Sequence, residues 1–305
     1  MILIAGGTGR LGKFLVRSLT KEGKAVRLFS RHRDLIEARK ELVESVTGDV
    51  RDPRAVEKIV SGADVVVSAV QGFSGKGGTS PKSVDWQGNL NLIKAARSNG
   101  TKHFILLSVV GASPNHPIDL FRMKYRAEKE LKESRGLAWT IIRSTAFMET
   151  WTELIAEPIL KIGKTRIYGS GENPINFISA YDVAQYVVLA LRKKEMFNTT
   201  VEVGGPENLT LFQVVETFEK LTDKVGTKKT VPLSMMRLMS ILMAVANPTL
   251  ARQIRTAIFM DTADMRFDPL ETVKRYPEIA LTSLVDAVKR DYVRSSNENV
   301  QKLVE

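Results

Sequence analysis

The chain has 305 residues, 43% of them hydrophobic, and a formal net charge of +11. That is enough apolar sequence for a real core, and the length suits one large domain with a smaller lobe. The absence of cysteine excludes disulfides, thiolate metal ligands and cysteine nucleophiles, and His32, His103 and His116 are too scattered for a ligand-spaced cluster, so no metal is expected. The cations are interspersed with carboxylates, as in Glu128-Lys129-Glu130-Leu131-Lys132-Glu133, which describes a solvated helix face and makes nucleic acid an unexpected partner.

Residues 2–5 read as a strand and not as a leader peptide. The longest apolar candidate, 233–246, is short of the roughly 20 residues a spanning helix needs and carries Arg237. No integral membrane segment and a cytoplasmic location are therefore expected. The first strand runs directly into Gly6-Gly7-Thr8-Gly9-Arg10-Leu11-Gly12. Glycine at 6, 9 and 12 permits a tight strand-to-helix turn, close approach of backbone N–H groups to a pyrophosphate, and close packing of helix on sheet. The spacing predicts dinucleotide contacts from Gly6, Thr8, Gly9, Arg10, Leu11 and Gly12. An amphipathic helix with Phe14, Leu15 and Leu19 on one face follows, then a second strand over 25–30. At its end, where an acid would bind a ribose 2′-hydroxyl, the chain reads Ser30-Arg31-His32-Arg33. Guanidinium groups there suit a 2′-phosphate, so Ser30, Arg31 and Arg33 are expected to select NADP(H) over NAD(H).

Further apolar runs over 45–48, 64–69, 104–109 and 139–143 alternate with helical patterns, which predicts an α/β fold with a doubly wound parallel sheet of the Rossmann type. The glycine-rich stretch Gln71-Gly72-Phe73-Ser74-Gly75-Lys76-Gly77-Gly78 reads as a mobile loop, either bordering the nicotinamide ribose from Gln71 onward or merely connecting. The cofactor domain is expected over 1–147 plus about 176–204. A smaller, mostly helical lobe over about 148–175 and 205–305 would carry the contacts to substrate or partner. Within it, the Met-rich stretch 232–248 reads first as core packing between helices. The alternative is an apolar pocket wall or lid, or a groove for a partner protein.

Several segments together make the chain resemble the atypical short-chain dehydrogenase/reductases of the NmrA-like and isoflavone-reductase-like group. Besides the glycine turn they include Gly48-Asp49-Val50-Arg51-Asp52, Val84-Asp85-Trp86-Gln87-Gly88-Asn89, Lys124-Tyr125-Arg126-Ala127-Glu128, Thr140-Ile141-Ile142-Arg143 and Gly204-Gly205-Pro206-Glu207-Asn208. The resemblance implies that Asp49 and Val50 meet the adenine, that Ala69 and Val70 flank the ribose, and that 144–147, with Thr145 and Phe147, borders the nicotinamide.

Two frames compete for the chemistry. Tyr125-Arg126-Ala127-Glu128-Lys129 has the Tyr-x-x-x-Lys spacing of ordinary short-chain dehydrogenases, whereas the family's lysine, followed four residues later by glutamate, fits Lys124 with Glu128. In the second frame the tyrosine falls at position 120, which is Leu. The frames put different residues on the inner helix face. The favoured reading makes Lys124 the cofactor-facing and catalytic lysine, with Ser108 at the end of a strand either holding a substrate carbonyl or serving as a satisfied strand-end hydroxyl.

The expected function is an NADP(H)-binding oxidoreductase that reduces a small apolar carbonyl, enone or quinone-like substrate. The alternative is a non-catalytic NADP(H)-binding sensor or assembly factor. A nucleotide-sugar epimerase or dehydratase is disfavoured by Leu120, because that chemistry needs a tyrosine base beside its lysine.

Overall fold

A computed structural model describes residues 1–32, 38–75 and 77–293. The chain divides into two compact units, the first comprising 1–144 and 183–203 and the second 145–182 and 204 onward.

The first unit is built on a seven-stranded sheet. Its strands are β1 (Ile2–Ala5), β2 (Val26–Ser30), β3 (Val43–Thr47), β4 (Val65–Ser68), β5 (His103–Val109), β6 (Ala138–Ser144) and Thr199–Val203. Their order across the sheet is Thr199–Val203, β6, β5, β4, β1, β2, β3, and every pairing is parallel. This is the doubly wound arrangement, in which the strand order reverses between β1 and β4 and a crevice opens at the carboxyl ends of those strands. Strands covered on both faces read as continuous apolar runs, as in Val65-Val66-Val67 and Phe104-Ile105-Leu106-Leu107, which are almost wholly buried. The observed strand ends differ from the sequence expectation by one or two residues. Thr199–Val203, polar at alternate positions on the edge of the sheet, is a strand the sequence pattern does not announce.

Helices α1 (Arg10–Lys21), α2 (Pro53–Val60), α3 (Asn89–Ser98) and α4 (Asp119–Lys132) belong to the same unit. The Asp52 side chain caps α2 by accepting from Arg54 N at 2.9 Å, with Pro53 at the first helical position. A π-helical segment, Pro81–Gly88, leads into α3 and buries Val84 and Asp85. On α4 the buried positions are Leu120, Met123, Lys124, Ala127, Glu128 and Leu131, a helical stripe that carries two ionisable side chains inward.

The second unit holds a three-stranded sheet, in which Ile175–Ile178 lies between Glu207–Leu209 and Ala146–Phe147, and a two-stranded sheet of Lys164–Tyr168 with Thr227–Val231. Residues 176–178, assigned to the cofactor domain from sequence, thus hydrogen-bond to strands of the second unit. Helix Leu211–Thr222 contributes Val214, Val215 and Phe218 to the core of this unit, beside Ile155, Ile167 and Phe177. The Met-rich segment forms helix Leu233–Ala246, separated from helix Pro248–Thr262 by the single residue Asn247. Core packing does not describe it: only Met236 and Ser240 of Leu233–Ala246 are buried, and most of its large apolar side chains are exposed.

Candidate functional site

The glycine turn is built as its spacing requires. Gly6 adopts φ +84°, and a Cβ there would stand 2.7 Å from Ala69 O. At Gly12 a Cβ would meet Gly7 O at 2.3 Å. Gly9 opens α1 in an extended conformation, and no side chain caps the helix and no acid occupies its first turn. The positive end of α1 therefore faces the crevice with first-turn N–H groups free of a side-chain cap, the arrangement that receives a phosphate group. Gly6 N donates to Phe29 O and Gly9 N to Gly6 O, which fixes the turn. Gly6, Thr8, Gly9, Arg10, Leu11 and Gly12 form this turn and the first turn of α1, and the backbone there leaves room for a dinucleotide pyrophosphate.

At the end of β2, Ser30 Oγ donates to His32 O at 2.7 Å and orders the turn that presents Arg31. Arg31 Nη1 lies against the glycine-rich loop, 3.0 Å from where a Cβ on Gly77 would be. Arg33 and Lys76 lie outside the described residues. Asp49 is gripped by Arg51, which donates from Nε to Oδ1 at 3.0 Å and from Nη2 to Oδ2 at 2.7 Å. The guanidinium holds the Asp49 carboxyl below the usual carboxylate range. Asn91 Nδ2 donates to Val50 O at 2.9 Å, tying the β3–α2 connection to α3.

The described residues of the glycine-rich loop are hydrogen-bonded near both ends. Gly72 N donates to buried Asp85 Oδ2 at 2.8 Å, and Arg51 reaches Gly78 O at 3.2 Å and Gly77 O at 3.4 Å. Gly72 has to be glycine, since a Cβ would stand 2.3 Å from Ser80 O.

Lys124 lies at the carboxyl ends of β4 and β5. Its ammonium donates to Leu107 O at 2.9 Å and Val70 O at 3.1 Å and pairs with Asp85 Oδ1 at 3.1 Å. Both charged side chains are buried, and burial pushes the Asp85 carboxyl up while Lys124 opposes that push. The competing frame is placed differently. Lys129 is exposed and pairs at the surface with Glu133, and Tyr125 is only half-buried. Leu120 is buried one turn before Lys124, so no hydroxyl stands where the family's tyrosine would be.

Ser108 Oγ donates to Glu128 Oε1 at 2.5 Å, and Glu128 in turn takes a two-pronged hydrogen bond from Arg143, at 2.9 and 2.7 Å. Arg143 continues to Glu202 at 3.0 Å. The Ser108 proton is thus directed to the buried carboxylate of Glu128, in a chain of ionic contacts that joins β5, α4 and β6. Thr145 and Phe147 lie in the second unit. Thr145 Oγ1 donates to Asn176 Oδ1 at 2.9 Å, and Phe147 pairs in strand register with Ile178.

Sequence reasoning did not single out Asp85, Arg51 or Asn89. Asn89 accepts from Ser68 Oγ at 2.5 Å and donates to Asp85 O at 2.7 Å, which ties the end of β4 to the π-helical segment. The available signal was an acid in an otherwise apolar inner stripe, Val84-Asp85, and such a group needs a buried partner.

Comparison with known proteins agrees with this geometry. Residues 6–194 match the NAD(P)H-binding family. The chain is 32% identical to the NAD(P)H azoreductase of Xenophilus azovorans over 213 residues, covering 68% of this chain and 69% of that protein. It is 28% identical to the photosystem II assembly factor Ycf39 of Synechocystis over 240 residues, covering 78% of this chain and 72% of that protein. Across these and similar relatives the chain spans 59% to 74% of their own length. The fold matches that of the NADPH-dependent quinone oxidoreductase QOR2 from Escherichia coli, solved with NADPH, with a TM-score of 0.74 at 21% identity over 95% of this chain and 99% of that one. A dinucleotide cradle at the switch point of a doubly wound sheet, matched over residues 6–194 by one family, leads to a single placement: the chain belongs to the NAD(P)H-binding family.

Proposed function

We propose that the protein is an NADPH-dependent reductase whose substrate is a small apolar quinone or a similarly polarised acceptor. The observation that carries this reading is the buried Lys124 at the strand ends of a dinucleotide cradle that has Leu at position 120. The cofactor, when bound, supplies hydride. Reduction of an ordinary ketone leaves an alkoxide, whose conjugate acid is about as weak as water, and so calls for a positioned acid. Hydride addition to a quinone leaves a phenolate-like oxygen whose conjugate acid lies near 10, and that oxygen collects its proton from water without such a group. The lack of a tyrosine hydroxyl beside Lys124 therefore counts against ketones and not against quinones.

In this reading Lys124 is a fixed cation. Val70 O, Leu107 O and Asp85 hold its ammonium at the carboxyl ends of β4 and β5, where its charge favours negative charge developing on a bound acceptor. Arg31 recognises a 2′-phosphate and Ser30 orders its turn. Asp49 and Val50 border the adenine, and Gln71 with the tethered loop borders the ribose. Ser108 supports Glu128 and Arg143 and does not touch substrate. The kinship with an azoreductase adds support to reductive chemistry.

The test is NADPH oxidation followed at its near-ultraviolet absorbance with benzoquinone, a naphthoquinone, an azo dye, an enone and a simple ketone. Quinone-dependent turnover without ketone turnover is expected, and ketone turnover with inert quinones would overturn the assignment. A second reading, a nucleotide-bound assembly factor or sensor, is favoured by the kinship with Ycf39 and by the full engagement of Lys124 and Ser108. It predicts tight NADPH binding with no turnover on any acceptor.

A further inference from the structure

Helix Leu233–Ala246 presents Met235, Leu238, Met239, Ile241, Leu242 and Val245 to solvent, with exposures from 37% to 92%. These positions form one continuous arc of the helix surface, and Met236 and Ser240 form the opposite, buried side. An arc of this kind on an isolated water-soluble surface is unfavourable and marks a contact site. Its chemistry is narrow. Every large side chain on it is aliphatic or a thioether, and Ser234 and Arg237 are the only hydrogen-bonding side chains on the exposed side, so it offers little for directional recognition by a folded protein.

The charge around it is one-sided. Between Asp223 and Asp261 the chain contains Lys224, Lys228, Lys229, Arg237, Arg252 and Arg255 and no carboxylate. Lys229, Arg237 and Arg255 are exposed. Arg237 borders the apolar arc next to Ile241, one helical turn on, where a long stem can lie along apolar groups while its head reaches outward. The 14-residue helix is about 21 Å long, shorter than the ~30 Å hydrocarbon layer, and no helix among the described residues is long and apolar enough to cross a membrane. An apolar face edged by exposed Arg237, on a short helix in a stretch of chain that has six cations and no carboxylate, and in which Lys228 pairs with Glu219 at 2.6 Å, complements an anionic lipid headgroup layer over acyl chains.

We propose that this helix lies in the surface plane of an anionic lipid bilayer and makes the protein a peripheral membrane protein. The proposal does not rest on the reductase reading.

Vesicle flotation of the full chain tests it, with vesicles of phosphatidylcholine alone or mixed with phosphatidylglycerol. Binding to the anionic vesicles should be at least about tenfold stronger than to phosphatidylcholine, and should fall when salt is raised to ~0.5 M. The variant L238E/L242E changes two side chains that are 58% and 59% exposed, so the fold tolerates it, and it should lose flotation while keeping its unfolding transition and NADPH titration. R237E/R255E should weaken binding by roughly 25-fold, at about fivefold for each cation removed from the headgroup layer. Absence of flotation, equal binding to both vesicle types, or undiminished binding of L238E/L242E would each overturn the proposal. A dimer in sedimentation that L238E/L242E dissociates, with no vesicle binding by the parent chain, would instead assign the face to a second copy and overturn it equally.

Discussion

Lys124 Nζ lies 3.1 Å from Asp85 Oδ1, with the two side chains 5% and 0% exposed, so a complete ion pair is enclosed between α4 and the π-helical segment before α3. Asp85 also accepts from Gly72 N, and Lys124 also donates to the ends of β4 and β5. One pair thereby links the tethered loop, the sheet and the helix that carries the lysine.

Removing one partner of a buried pair leaves the other charge without compensation. Asp85→Ala should cost about 3–5 kcal/mol in urea unfolding and release the loop at Gly72, whereas the double variant Asp85→Asn, Lys124→Met should recover most of that loss. Additive losses in the double variant would show that the pair does not act as a unit.

The two frames on α4 make opposite statements about turnover. Lys124→Met should lower kcat/KM with a quinone by about 100-fold or more, while Tyr125→Phe and Lys129→Met stay near the parent value. The reverse pattern would return the chemistry to the Tyr125 and Lys129 pair, despite the exposure of Lys129.

How legible this was depended on which physical signal each residue leaves in sequence. The glycines at 6, 9 and 12 are readable because their reasons are local: a positive φ or a backbone approach within van der Waals contact leaves no alternative residue. The parallel sheet is readable from its apolar runs. The Lys124 frame is what the family resemblance implies, and Lys124 and Glu128 are both buried on α4. Asp85 was not singled out because its meaning lies in a partner 39 positions away along the chain. The exposed arc of 233–246 was misread as core for a related reason, since apolar composition does not tell whether a face is covered.

Gly12→Ala asks for space that does not exist, because the new methyl would stand 2.3 Å from Gly7 O and α1 would have to move off the sheet. The expected result is a loss of several kcal/mol in stability, of the order found for overpacked cores at ~1–3 kcal/mol or more, together with loss of NADPH binding. Gly23→Ala, at a position with no atom near a new Cβ but with φ +75°, should show a smaller stability loss and intact binding.

His103 gives the first unit a defined response to acid. Thr140 Oγ1 donates to Met196 O, so its oxygen accepts from His103 Nε2–H at 2.9 Å, and Nδ1 is left buried without a partner. Burial pushes the imidazole down to about 4 from 6.5. The neutral ring is the folded form, so its contribution is complete above pH 6.5 and is lost as pH falls from 6.5 toward 4. Between pH 7 and pH 5 the parent chain should lose about 2 kcal/mol relative to His103→Gln in urea unfolding. Asp182 in the second unit, pushed up to about 6 by burial, has the opposite sign, so the variant comparison and not the raw pH profile isolates His103. Parallel profiles for the two proteins would contradict the assignment.

Calorimetric titration with NADPH and NADH in one buffer, on the parent chain and on Arg31→Ala, is the most direct measurement. The cradle at Gly6, Gly9 and Gly12 and the guanidinium at the end of β2 predict that NADPH binds at least about tenfold more tightly than NADH, and that Arg31→Ala removes that preference while leaving NADH nearly unchanged. Equal affinities in the parent chain, or equal weakening of both nucleotides in the variant, would contradict it.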